Sequence, residues 1–330
     1  MSKVLVTTVP FGDLNRLPIE KLEAAGIEYS INPIGRKLTE NELADMVTDY
    51  DVLIAGTEPI TEYVMRRSSR LKLISRVGIG LDSVDLIAAK ARGIQVSYTP
   101  EAPAPAVAEL TIGLMLSLLR SIHSVNAKMH NGQWRRYFGR RISEVTIGII
   151  GVGRIGRRVL RHLSCFHRPN ILVNDPYPDF ALEQMPNVKW VGKEEILQRA
   201  DVITLHVPLT YQTRNMIRRE HLLQMKSDAL IINTSRGGII NENDLADVLN
   251  SGHLGGAAID VFEQEPYIGP LTQIDRCLLT SHMGSMSIDC RARMEIEATD
   301  EAVRFLNNEP LRGLVPPEEY AAQEQGLWDA

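Results

Sequence analysis

The chain has 330 residues, 44% of them apolar and 23% charged, with a formal net charge of −5. That length is enough for two domains, each able to bury its own core, and the mildly acidic balance offers no basic surface for nucleic acid or an anionic membrane. Cys165, Cys277 and Cys290 are scattered, odd in number and outside metal-ligand spacing, so the expectation is no metal site and reduced thiols in a cytoplasmic protein. The opening residues run straight into a short strand with no secretion-signal core, and no apolar run reaches membrane-spanning length.

In chain order, short apolar runs predict strands at 4–8, 29–32, 52–55, 73–77 and 95–98, with helices between them and Gly26 and Gly93 as helix stops. A long helix is expected over 106–129, its apolar face too broad for a surface element, entered through the stiff Pro100, Pro103 and Pro105. Residues 145–150 (VTIGII) read as a fully buried parallel strand. The run Gly151-Val152-Gly153-Arg154-Ile155-Gly156 follows at once, then helical spacing over 157–165. A strand at 171–174 ends in Asp175, 19 residues after Gly156. Further strands are expected at 188–191, 202–207, 229–234, 257–261 and 278–281, separated by helices near 194–199, 221–225 and 243–250. A second long helix, 289–307, is expected to cross back.

Strand–helix alternation of this kind predicts an α/β fold of two Rossmann-like parallel-sheet domains. The substrate domain would be discontinuous and flavodoxin-like, built from 1–99 with a return segment at 289–315. The other, 100–288, would be a NAD-binding Rossmann domain. Residues 316–330 read as an extension without a core pattern, with Tyr320 and Trp328 as its docking side chains.

The glycine turn has the strand before it and the helix after it that the dinucleotide fingerprint requires. Gly151 permits the tight turn, Gly153 lets backbone approach a pyrophosphate, and Gly156 allows close helix–strand packing. A helix N-terminus there offers N–H groups to phosphate. Asp175 is placed to accept hydrogen bonds from ribose hydroxyls and to repel a 2′-phosphate, and Pro176 and Tyr177 follow it instead of an arginine. NAD is therefore expected over NADP.

Arg236, Glu265 and His282 each follow a buried-looking strand. Ligands bind beyond the carboxyl ends of strands in such sheets. A guanidinium grips a carboxylate with two parallel hydrogen bonds, and an imidazole beside a carboxylate becomes a tuned acid/base. Each alone reads as an ordinary surface group; in this order, after a dinucleotide turn, they predict chemistry on a carboxylate substrate.

At these residues the chain resembles the D-isomer-specific 2-hydroxyacid dehydrogenases, which include phosphoglycerate dehydrogenase and glyoxylate/hydroxypyruvate reductases. The resemblance runs from Val4 to about Val315 through RVGIGLDSVDL, VAELTIGLML, GVGRIG, LHVPLTYQTRNMI, NTSRGGII, AAIDVFEQEP and SHMGS. It implies hydride transfer between the nicotinamide and C2 of a 2-hydroxy or 2-oxo acid. Arg236 would be the carboxylate clamp, His282 the acid/base and Glu265 its partner. Gly78, Ile79 and Gly80 would anchor the carboxylate through backbone N–H groups, with Arg76 at another anionic position. Arg154 and Ile155 match the pyrophosphate contact and Asp175 the ribose contact. Val207, Pro208, Thr213, Thr234, Asp260, Gly284 and Ser285 match cofactor-lining positions, with Asp260 near the carboxamide. His206 is expected to be structural. A homodimer through the cofactor domain is implied, with Arg135, Arg136, Arg140 and Arg141 on a solvated or dimer-facing edge.

Ala55 departs from the family pattern, standing where phosphoglycerate dehydrogenases place an arginine for the substrate phosphate, and Ser281 replaces the proline common before the histidine. Two alternatives stay open: a phosphoglycerate dehydrogenase proper, and an NAD(H)-sensing, corepressor-like binding protein on the same fold.

Overall fold

The computed structural model describes residues 2–167 and 169–325; Trp328 lies outside them. Among these, the chain divides into two compact units, one of residues 2–103 and 286–325, the other of residues 104–285.

The first unit is a five-stranded sheet of β1 (Lys3–Val6), β2 (Glu28–Ile31), β3 (Val52–Ala55), β4 (Leu73–Arg76) and β5 (Gln95–Ser97). Its order is β2-β1-β3-β4-β5 with every pair parallel, the doubly wound flavodoxin-like order. Both faces are covered, so the inner strands are apolar at nearly every position: Leu5, Leu53, Ile54, Leu73 and Ile74 are fully buried. Each such side chain contributes about 1.5–3 kcal/mol by leaving water. The helix Ile288–Leu306 returns to this unit, where Ala298 accepts a 2.8 Å hydrogen bond from Ser75 Oγ.

The second unit is a seven-stranded parallel sheet of β6 (Thr146–Ile150), β7 (Asn170–Asn174), β8 (Val188–Trp190), β9 (Val202–Leu205), β10 (Leu230–Asn233), β11 (Gly256–Ile259) and β12 (Cys277–Leu279). The order β12-β11-β10-β9-β6-β7-β8 reverses direction between β6 and β9, the topological switch point of a Rossmann sheet. Both units are thus the parallel α/β sheets expected.

Two elements differ from expectation. The long helix is broken into Ala104–Leu119 and Ile122–His130, bent by 66° at the break, with Ser121 left-handed at φ 51°. The first piece buries eight residues against its own unit and the second buries none, so no packing surface carries the axis straight on. No single helix among the described residues is long and apolar enough to cross a membrane.

The stretch after Pro316, read from the sequence only as an extension without a core pattern, forms the helix Pro317–Glu324, which buries no residue fully. Before it, Leu314 pairs antiparallel with Ser97 of β5, and the buried Glu301 carboxylate accepts from the N–H groups of Arg312 and Gly313. Gln323 Oε1 then accepts from Leu86 N at 2.6 Å and Ile87 N at 3.2 Å, while its Nε2 donates to Val84 O. One amide side chain therefore caps the N-terminus of the helix Leu86–Ala91, satisfying N–H groups that have no partner within it. Tyr320 packs against the core of the same unit. Gln323→Ala should cost about 1 kcal/mol, the usual value of a cap. Hydrogen exchange should report it as faster exchange in 317–325 and at Leu86 and Ile87, with the strand amides unchanged.

Candidate active site

The glycine turn closes β6. Gly151 has φ +90°, and a Cβ there would sit 2.4 Å from His206 O, the backbone just past the neighbouring β9. A Cβ on Gly156 would lie 2.0 Å from Gly151 O. Gly153 is the opposite case: a Cβ would meet nothing within 4 Å. Two glycines are demanded by the protein's own packing, and the third leaves open space at the N-terminus of the helix Arg154–Ser164. Arg154 and Ile155 are the first two residues of that helix. Open space before a helix N-terminus, at the sheet's switch point, fits a dinucleotide pyrophosphate.

Asp175 lies just past β7, and its carboxylate accepts from Val152 N at 2.8 Å and Tyr177 N at 2.9 Å. These bonds fix it beside the glycine turn and occupy one direction on each oxygen. A carboxylate offers about four acceptor sites, so capacity for ribose hydroxyls remains.

The carboxyl ends of β10, β11 and β12 are neighbours, and Arg236, Glu265 and His282 follow them in that order. His282 Nδ1 lies 3.0 Å and 2.9 Å from the two carboxylate oxygens of Glu265. Glu265 Oε1 also accepts from Phe262 N at 3.1 Å, which ties the acid to its own loop. With Nδ1–H pointing at a carboxylate, the tautomer is set and Nε2 is the reactive nitrogen; among the described residues Nε2 has no hydrogen-bond partner. Both side chains are partly open to solvent. Arg236 is half-buried, with Nη1 donating to Ser235 O and its own carbonyl accepting from Asn233 Nδ2.

Sequence spacing misses how the histidine is held. Asp260, 1% exposed at the end of β11, accepts from Thr280 Oγ1 (2.6 Å), Met283 N (2.9 Å) and Gly284 N (2.9 Å), and its carbonyl accepts from His282 N (2.7 Å). His282 takes a left-handed backbone, φ +50°. Such a conformation costs a non-glycine residue on the order of 1–3 kcal/mol unless its surroundings impose it, and these bonds impose it. Gly284 is buried: a Cβ there would press within 3.2 Å of both Asp260 and Val107. The Asp260 carboxylate, expected from the resemblance to lie near the carboxamide, holds the chain on either side of the histidine.

Other expected residues fall as follows. Thr234 is buried and shares a 2.9 Å hydrogen bond with Thr111, while Thr213 Oγ1 donates to Pro208 O, closing the loop after β9 that begins near Val207. Ser285 is half-buried. In the first unit, Gly78 N–H donates to Thr99 Oγ1 at 2.8 Å, whereas the N–H groups of Ile79 and Gly80 have no partner among the described residues. Arg76 is 5% exposed and donates to the carbonyls of Ala55 and Val77. Its charge braces the Gly78 loop from beneath.

His206 follows β9 with Nε2 3.0 Å from Thr204 Oγ1 and a buried, unpartnered Nδ1, and burial pushes its imidazole down from 6.5 to about 3. It is neutral at neutral pH and has no proton to give. Because the folded value is depressed, the unfolded chain binds the extra proton between pH 6.5 and 3, so stability is full above 6.5 and falls as pH drops through that window. His206→Gln, which cannot take the proton, should lessen that fall. The difference is of order a few kcal/mol at most, read as a shallower drop in urea midpoint between about pH 6.5 and 5.

Residues 112–284 match the family model described as D-isomer specific 2-hydroxyacid dehydrogenase, NAD binding domain. The chain is 37% identical over 322 residues to the D-3-phosphoglycerate dehydrogenase of Methanocaldococcus jannaschii, covering 96% of this chain but 59% of that longer protein. It is 36% identical over 290 residues to the glyoxylate reductase of Thermofilum pendens, covering 85% of each. The crystal structure of TT0316 protein from Thermus thermophilus superposes with a TM-score of 0.87 at 32% identity, covering 95% of this chain and 100% of that one. With a glycine turn built for a dinucleotide and a histidine–glutamate pair at neighbouring strand ends, the chain belongs to the D-isomer-specific 2-hydroxyacid dehydrogenase family, whose cofactor domain binds NAD.

Proposed function

We propose that this protein is an NAD-dependent oxidoreductase that interconverts a D-2-hydroxy acid and its 2-oxo acid. The observation that carries the reading is the His282–Glu265 pair, fixed at the carboxyl edge of the sheet that bears the glycine turn. A protein that only sensed the dinucleotide would have no use for an oriented imidazole with an unengaged Nε2.

When bound, NAD supplies the hydride acceptor, or in its reduced form the hydride. The chain does the rest. Gly153, Arg154 and Ile155 hold the pyrophosphate on the turn that Gly151 and Gly156 shape, Asp175 holds the ribose, and Val207, Pro208, Thr213, Thr234, Gly284 and Ser285 line the remainder of the cofactor site. Arg236 clamps the substrate carboxylate and polarises the adjacent carbonyl. In reduction, His282 Nε2 gives its proton to the substrate oxygen; in oxidation it takes that proton back. Glu265 holds the ring in orientation and balances the imidazolium charge.

A cytoplasmic homodimer pairing through the cofactor domain completes the reading. Trp134, 81% exposed, and the fully exposed Phe138 stand on an irregular stretch of that domain with Arg135 and Arg136, more aromatic surface than a monomer usually leaves in water. Reduced thiols agree with the compartment: Cys277 and Cys290 are buried and unpaired, their thiols pushed up to about 12 and about 11 by burial.

NADH oxidation with a panel of 2-oxo acids tests the proposal. His282→Ala should lower kcat by about 10²–10⁴-fold while NADH titration stays at the wild-type Kd; undiminished turnover would remove the acid/base role. Arg236→Lys should lower kcat/KM for the 2-oxo acid far more than it weakens NADH binding, and equal losses would count against the clamp. Tight NADH binding with turnover of none of the panel would make the protein a sensor.

A further inference from the structure

The loop that leaves β7 runs from Asp175 through Pro176, Tyr177 and Pro178 to Asp179, so a carboxylate stands at each end of it. Both ends are fastened to one residue of the glycine turn. Asp175 accepts from Val152 N at 2.8 Å, and the carbonyl of the same Val152 accepts from Arg157 Nε at 3.0 Å. Arg157 Nη1 in turn donates to Asp179 Oδ2 at 2.7 Å. Asp179 Oδ1 accepts from Ala181 N at 3.1 Å, capping the short helical turn Phe180–Gln184. The two prolines between the carboxylates have fixed φ angles, which narrows the shapes open to the loop.

Arg157 belongs to the first turn of the helix Arg154–Ser164, not to the strand end where an arginine for a 2′-phosphate is looked for. Its guanidinium bonds the carbonyl of Val152 while Asp175 bonds the N–H, which brings a cation close to the acid at the ribose position. A guanidinium so placed is the group a 2′-phosphate would recruit, through two parallel hydrogen bonds. Asp179 already engages it. Both side chains of this pair are partly open to solvent, so the pair contributes little to stability and its bearing is on what binds beside it.

We propose that Asp179 is a second determinant of the preference for NAD: by pairing with Arg157 it withholds that guanidinium from a 2′-phosphate and adds its own charge to that of Asp175. The proposal rests on Asp175 receiving the adenosine ribose. A 2′-hydroxyl needs only an acceptor, which Asp175 supplies. A 2′-phosphate brings about two negative charges to a corner where two carboxylates face one guanidinium that is already paired. Like charges held together in this way reject a ligand without any steric clash. Substituting Asp175 alone leaves the guanidinium held, so the preference should relax only in part.

Fluorescence titration of the full chain with NADH and with NADPH gives the ratio of their Kd values without any turnover. Asp179→Asn keeps the oxygen that caps Ala181 and removes the charge. It should move the ratio toward NADPH by about three- to fivefold, the size of an exposed charge interaction. Asp175→Ala, Asp179→Asn should bind NADPH more tightly than either single variant. Arg157→Ala, Asp179→Asn should bind it more weakly than Asp179→Asn, because no guanidinium is left to release. If Asp175→Ala relaxes the preference while Asp179→Asn leaves the ratio unchanged, or if the gain persists in full without Arg157, the proposal alone is overturned. A ratio that Asp175→Ala also leaves unchanged overturns the ribose reading and this proposal with it.

Discussion

Asp260 is the constraint on which the candidate site depends. A buried carboxylate at the end of β11 must find donors, because leaving it unpaired costs several kcal/mol. It finds them in Thr280 and in the backbone of Met283 and Gly284, beyond the end of the adjacent strand. The chain between is thereby bent into the one conformation that turns the His282 ring toward Glu265. The reactive nitrogen is positioned by an acid that needs no contact with substrate. Removing that acid would leave every expected catalytic side chain in the sequence and take away the hold on the backbone around His282.

The same economy runs through both units. Parallel strands put every loop that follows a strand at one edge, so residues far apart in sequence become neighbours once strand order is set. Glu265 and His282 meet because β11 and β12 pair in register, Ala258 beside Leu278. The glycine turn faces open space because β6 and β9 mark the sheet's reversal. In the first unit the edge is used differently, with the buried guanidinium groups of Arg76 and Arg291 bracing loops.

The strands were legible in the sequence because each is a short apolar run closed by a turn former, and burial on both faces leaves no other reading of such runs. The glycine turn was legible because three constraints fall on three fixed spacings. What escaped was decided by partners distant along the chain. Nothing around Ser121 breaks helical spacing; the helix bends where its packing surface ends. The helix Pro317–Glu324 has no strong apolar face, and much of its docking is through Gln323, a polar contact invisible to hydropathy. Gly78 has the glycine the motif asks for, but its N–H is taken by Thr99, 21 residues on. The job of Asp260 cannot be read from spacing, since its partners lie 20 to 24 residues away on the next strand and loop.

The left-handed backbone at His282 also shapes how the protein can change. Asparagine is among the few side chains that accept that dihedral at small cost, and its codons differ from those of histidine by a single base. One single-base change at this position therefore preserves the loop while removing the imidazole proposed to carry the proton. A dinucleotide-binding protein with an intact fold and no chemistry lies one nucleotide away from this gene, so evolution from catalyst to sensor on this scaffold would require no intermediate that fails to fold.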